Sequence, residues 1–193
     1  MNTIFKKIIL AALLLVTSLN FAQEQNSEKQ NVIKGNILGI FGRYYTISYE
    51  RQVAEKSSAQ LSVGIMGDML DSDWLDSSST DTSEFKSFYV IPEFRYYPAK
   101  GFGKGFYLSP YTRLNFVTLS QNSYSENYFQ FNPGLLVGWQ WVFGDEFSLD
   151  LGFGPEMITN KDLVLKDNAG YELISAEYPS VIPRISFSLG YKF

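Results

Sequence analysis

The sequence predicts an all-β chain closed into an eight-stranded antiparallel up-and-down transmembrane β-barrel. Three observations carry this expectation. Beyond the N-terminal segment the side chains repeat with a period of two, and no stretch spaces apolar residues three and four apart over several turns. Eight such segments occur, joined by connections that mostly alternate between short and long. Within the segments the largest rings share one parity, while glycines, amides and charges share the other.

The elements follow in order. Residues 1–22 carry Lys6 and Lys7, an apolar run from Ile8 to Val16 and a small residue at Ala22, the pattern of a secretory signal peptide. The run is too short to cross a bilayer as a helix. No Cys follows the cut expected after Ala22, which excludes a lipoprotein anchor. Residues 23–31 are polar and read as a flexible leader, leaving 32–193 for the barrel. The strands are expected at 32–41, 44–53, 58–69, 85–98, 105–119, 127–143, 146–158 and 180–193. Period two is plainest in Tyr45-Thr46-Ile47-Ser48-Tyr49-Glu50 and in Ile185-Ser186-Phe187-Ser188-Leu189-Gly190-Tyr191. The second, fourth and sixth connections are short, and the third, fifth and seventh longer, at about 70–84, 120–126 and 159–179. Only the first, at Gly42-Arg43, departs from the alternation.

Composition excludes much chemistry. With no His and no Cys there is no imidazole base, thiolate nucleophile, disulfide framework or ordinary zinc site. Against 20 Asp+Glu stand 16 Lys+Arg, and removal of Lys6 and Lys7 makes the chain more acidic still. An acidic exported chain is a poor partner for nucleic acid. No cofactor, metal site or catalytic residue is expected.

The sixth segment decides which face meets which solvent. Phe129, Phe131, Leu135, Val137, Trp139, Trp141 and Phe143 share a parity, opposite Gln130, Asn132, Gly134, Gly138 and Gln140. An eight-stranded barrel is only wide enough to be filled by side chains, so that many rings belong outside, against lipid. A soluble barrel would reverse the faces. Aromatic girdles are expected from Tyr96, Tyr97, Phe106, Trp139, Trp141 and Phe143 at the periplasmic side, and from Phe85, Phe88, Tyr128 and Phe129 at the outer side.

The last strand ends on Phe193, with Leu189 and Tyr191 on its parity. A terminal aromatic so placed resembles the signal read by the barrel-assembly machinery. The chain over about 33–193 resembles the small eight-stranded outer-membrane barrels that include OmpX-like and OmpA-like membrane domains. Tyr49-Glu50-Arg51, Pro92-Glu93-Phe94-Arg95-Tyr96-Tyr97-Pro98 and Gly105-Phe106-Tyr107-Leu108-Ser109-Pro110-Tyr111 resemble exported barrel families with no assigned activity. The resemblance implies the outer membrane of a Gram-negative bacterium, with outer-membrane lipid and lipopolysaccharide as surroundings.

The inward parity collects Lys34, Glu50, Glu93, Arg95, Arg113, Asp150, Glu156, Arg184 and Lys192. Near balance of sign predicts an ionic network across the lumen, because unpaired charges in a narrow interior are costly. Similar depths predict Glu156 with Arg184 and Glu93 with Arg113 as cross-strand partners. The functional alternatives for this cluster are an ion or proton path, or a carboxylate pair for glycoside or ester cleavage among Glu50, Glu93, Asp150 and Glu156. Pro92, Pro110, Pro133, Pro155 and Pro183 take the outward parity and predict bulges or kinks.

Two connections stand out. Residues 71–84 are acidic and Ser/Thr-rich, with an Asp-x-Asp start but neither the Gly nor the Glu of a calcium loop, so a solvated surface loop is expected. Within 159–179, Leu163-Val164-Leu165 and Tyr171-Glu172-Leu173-Ile174 flank Asp167-Asn168-Ala169-Gly170 and predict a hairpin beyond the membrane, with a strand edge for a protein partner. The function expected is a non-enzymatic integral outer-membrane barrel with a structural or surface-interaction role and a plugged lumen. The alternative is a narrow channel or transporter for ions or small solutes.

Overall fold

The computed structural model describes residues 30–39, 44–67, 83–144 and 146–193. The signal segment, most of the leader, the Gly42-Arg43 connection and nearly all of the acidic connection lie outside them. Among the described residues ten strands are formed: β1 Asn31–Asn36, β2 Tyr44–Ala54, β3 Ser57–Gly67, β4 Ser83–Tyr96, β5 Gly105–Gln121, β6 Tyr124–Phe143, β7 Phe147–Met157, β8 Asp162–Lys166, β9 Glu172–Glu177 and β10 Val181–Lys192. Eight close a barrel in the order β1-β10-β7-β6-β5-β4-β3-β2, every pair antiparallel, and β8 pairs with β9 as a separate hairpin. The seam is short, from Val32↔Lys192 to Asn36↔Ser188. Both ends of the chain's barrel meet there, Phe193 N–H donating to the Asn31 carbonyl over 2.8 Å. The end carrying this seam is called lower, the other upper.

The burial is inverted relative to a water-soluble domain. Glu50 and Asp150 are 0% and 1% exposed, while Trp139 and Phe153 are 42% and 54% exposed. Such a surface is stable only in an apolar solvent, so the band it forms is the membrane-facing wall of a transmembrane barrel. On the lower part of that wall rings adjoin one another: Trp139 with Trp141 at 6.3 Å and Phe147 with Tyr191 at 5.7 Å. Higher up, Phe116 lies 6.2 Å from Phe88 and 5.2 Å from Phe129.

Three expected girdle members are instead inside. Tyr97 is fully buried, because it shares the odd parity of Glu93 and Arg95 and the pleat separates it from its neighbour Tyr96. Phe85 has the same parity, and Tyr128 that of Gln130; both are partly buried against an upper apolar cluster. The fifth connection is also shorter than expected. β5 and β6 run on to Gln121↔Tyr124, and Asn122 takes φ 56° in the tight turn, a conformation Asn tolerates better than most residues. No register shift falls at a strand proline in the described ladders; the shifts are at Gln52/Ala54 in the barrel and at Leu165/Lys166 in the hairpin. Pro92 and Pro155 instead mark gaps in pairing, from Val90↔Leu114 to Glu93↔Tyr111 and from Gly134↔Glu156 to Val137↔Phe153, with register kept across each.

Candidate functional site

Side chains of all eight barrel strands meet in the lumen in two linked groups. In the lower one Lys34 Nζ lies 2.5 Å from Glu50 Oε2 and 2.6 Å from Asp150 Oδ2. Arg95 pairs with Asp150 through Nη1 and with Glu93 Oε1 through Nε at 2.6 Å. Since β4 and β7 are not neighbours in the barrel, the Arg95–Asp150 pair spans the lumen. Hydroxyls add further hydrogen bonds. Ser58 Oγ donates to Glu50 at 2.5 Å, Tyr97 Oη lies 2.7 Å from Glu50 and 2.8 Å from Gln140, and Tyr107 Oη donates to Asp150 Oδ1 at 2.7 Å. Lys34, Glu50, Arg95 and Asp150 are each at most 3% exposed. Such burial is tolerable only with the hydrogen bonding just described.

In the upper group Arg113 Nη2 is 3.0 Å from Glu156 Oε2, which also accepts from Tyr111 Oη at 3.0 Å, and Arg184 Nη2 is 3.5 Å from Glu93 Oε2. Glu93 thus links the two groups, one oxygen to Arg95 and the other to Arg184. These pairings correct the expected ones, Glu156 with Arg184 and Glu93 with Arg113. Register explains the exchange. Ile182 stands opposite Glu156 and Gly154 opposite Arg184, while Tyr111 stands opposite Glu93. Each expected partner is offset by two residues, and the long guanidinium arms cross the lumen instead. Lys192 lies at the lower rim, its Nζ 5.2 Å over the Phe102 ring.

Around the ionic groups four tyrosines face inward, against the expectation that rings lie outside. Tyr89, Tyr107 and Tyr111 stand directly across the ladder from Gly64, Gly138 and Gly134. Each ring lies over its glycine so closely that a Cβ there would collide with it. The fourth, Tyr97, packs against Tyr107 with centroids 5.7 Å apart. Guanidiniums cover three of these rings: Arg95 over Tyr107 at 4.4 Å, Arg184 over Tyr111 at 4.1 Å and Arg113 over Tyr89 at 5.1 Å. The readable signal was parity, since Tyr107 and Tyr111 alternate in step with Arg113 and Tyr89 with Glu93.

Across residues 8–174 the chain matches a family model described as "Protein of unknown function (DUF3575)". The chain belongs to this family. No curated protein matches it in sequence. Among solved structures this DUF3575 chain is similar to a major outer membrane protein from Thermus thermophilus, with TM-score 0.50 and 15% identity over 85% of this chain and 99% of that one. It is also similar to Ail, the attachment invasion locus protein of Yersinia pestis (TM-score 0.49, 11% identity, 86% and 99% covered). The N-terminal β-barrel domain of OprF from Pseudomonas aeruginosa is a third (TM-score 0.46, 11% identity, 86% and 98% covered). The likeness to the Thermus protein is one of fold.

Above the ionic groups the DUF3575 barrel changes character. Val117 and Leu119 of β5 face inward and meet Leu163 and Leu165 of β8, all at most 2% exposed, with Tyr124, Tyr128 and Ile174 against them. Tyr128 hydrogen-bonds both the N–H and the carbonyl of Val164, and Gln130 Nε2 donates to the Asn160 carbonyl over 2.6 Å. The β8/β9 hairpin is therefore folded onto the inward face of the β5/β6 ribbon. Its turn presents Tyr171 at 74% exposure. No group of three or more acidic side chains suited to a metal ion occurs among the described residues.

Proposed function

We propose that the protein is a non-enzymatic barrel of the outer membrane of a Gram-negative bacterium, with its lumen plugged by the ionic network and its upper hairpins acting at the cell surface. The lower end then faces the periplasm. The observation that carries this reading is the layer formed by Lys34, Glu50, Arg95, Asp150, Tyr97 and Tyr107, in which no side chain has appreciable contact with solvent. Ions crossing the barrel would have to separate charges that satisfy one another in a medium of low dielectric constant. The same pairing argues against acid–base chemistry, since Glu50, Glu93, Asp150 and Glu156 each already hold a cation.

In this reading outer-membrane lipid and lipopolysaccharide contact the aromatic wall, the barrel-assembly machinery reads Phe193, and a protein partner engages the 159–179 segment through the β8/β9 hairpin. Segments 1–22 and 23–31 serve as signal peptide and leader. Reconstitution into planar bilayers tests the plug. The expected trace shows no steady conductance; a steady current that changes with Arg113→Gln or Glu93→Gln would replace the plug with a narrow channel.

A further inference from the structure

Between β10 and the upper parts of β2, β3 and β4 the lumen keeps a cavity of about 320 Å³. Arg95, Arg113 and Arg184 line it, and among the described residues no carboxylate does. Glu93 and Glu156, which pair with these arginines, are buried off its wall. The cations are not saturated. Arg113 Nε and Arg184 Nη1 make no hydrogen bond, and the Arg184–Glu93 approach is a long 3.5 Å. The Arg113 and Arg184 side chains are 20% and 10% exposed, so they are held by the wall while part of each remains open to the cavity. Thr46, Ser48, Ser62 and Ser186 add hydroxyls around the same space.

We propose that this cavity binds a small oxyanion, a carboxylate or phosphate group seated between Arg113 and Arg184 with the surrounding hydroxyls as further donors. Guanidinium forks match the geometry of both groups, and an ion pair inside a barrel is screened far less than one in water. The volume is at the small end of ligand pockets, so the anion carries at most a short carbon skeleton into the site. Below, the Lys34–Asp150–Arg95 layer closes the floor, making the cavity a cup rather than a passage. The inference rests on the cavity and not on the surface role of the hairpins.

The test is calorimetric titration of the full chain, folded in a non-ionic detergent, at constant ionic strength. The probes are inorganic phosphate, succinate and dihexanoyl phosphatidic acid, with chloride as reference. At least one probe is expected to bind with millimolar affinity or better and to raise the temperature at which the barrel unfolds. Arg184→Gln should weaken that binding about tenfold or more, the worth of one charged hydrogen bond. Ser62→Phe should remove it by filling the cavity without altering charge, and it decides the matter if the arginine variant does not fold. Binding of phosphate or succinate identifies a free solute, and binding of the phosphatidic acid alone a lipid headgroup. Absence of binding beyond chloride, or unchanged binding in both variants, overturns the proposal. Bilayer conductance is read separately, so failure here leaves the plug untouched.

Discussion

The lower lumen and the upper ribbon share inward-facing residues of β5 and β6, yet they are filled in opposite ways. Low on β5, Tyr107 and Tyr111 reach carboxylates of β7; high on the same strand, Val117 and Leu119 pack on Leu163 and Leu165. The barrel interior is therefore not polar as a rule. Where the wall closes on itself, long side chains must satisfy one another across a narrow gap, and charge pairs with tyrosines do so. Where β6 runs on above its last pairing with β7, at Gly134↔Glu156, a hairpin from elsewhere in the chain supplies the apolar partner, and burial of methyl groups becomes available as a driving force. Two kinds of cohesion in one strand pair should respond differently to substitution.

Asp150→Ala should have the largest effect. It removes the shared partner of Lys34, Arg95 and the Tyr107 hydroxyl and leaves the buried layer with one cation in excess, at a cost of about 3–5 kcal/mol. Urea unfolding in lipid vesicles measures it, and a loss below about 1 kcal/mol would sink the claim that the network is tightly coupled. The double substitution Lys34→Met with Asp150→Leu should cost less than Asp150→Ala alone, because no charge of that pair is left behind.

Leu163→Ala should come next, at about 2–5 kcal/mol, but confined to the ribbon. Hydrogen exchange is expected to speed across 162–177 while the amides of β7 and β10 stay protected, since local opening follows local contacts. If the barrel's unfolding midpoint instead fell as far as with Asp150→Ala, the two regions would be one cooperative unit.

A smaller change separates packing from charge. Gly138→Ala puts a methyl group into the Tyr107 ring and should cost about 1–3 kcal/mol by overpacking. Adding Tyr107→Leu should recover part of that loss if the ring is the obstacle. Recovery of nothing would mean that the strand backbones, with the Leu151 carbonyl also close to that position, set the spacing.

The closed barrel, its antiparallel order and the orientation of the wall were legible because period two leaves only two faces, and only one can hold Trp139, Trp141 and Phe143. The buried charges Lys34, Glu50, Glu93, Arg95, Asp150 and Glu156 share the opposite parity. Their partners were not legible, because pairing depends on register and on side-chain reach across the barrel, neither of which parity encodes. Arg184 thus finds Glu93 on the far side of the lumen rather than Glu156 on the adjacent strand. For Tyr97 and Tyr128 ring size points outward and parity inward, and parity decides. Tyrosine has a hydroxyl to satisfy, and a facing glycine or a nearby carboxylate makes room for it inside. The β8/β9 hairpin was visible as two apolar runs around a turn, but its docking was not, since contacts between β8 and β6 join segments far apart in sequence.

The smallest expected effect lies at the ribbon's tip. Asn122 holds φ 56° between Gln121 and Tyr124, and the ladder continues to that pair. Asn122→Ala should cost about 1 kcal/mol because a Cβ branch without the Asn side chain's local hydrogen bonding strains the left-handed conformation, whereas Asn122→Gly should be near neutral. Exchange of the Gln121 and Tyr124 amides reads this directly. If the ribbon is held mainly by the hairpin packed on its inner face, the disturbance stops within a few residues of the turn, and Val117 and Leu119 keep their protection. If it spreads down to Tyr111, the turn and not the apolar cluster is what keeps β5 and β6 in register, and the division drawn between ribbon and lumen would have to move downward.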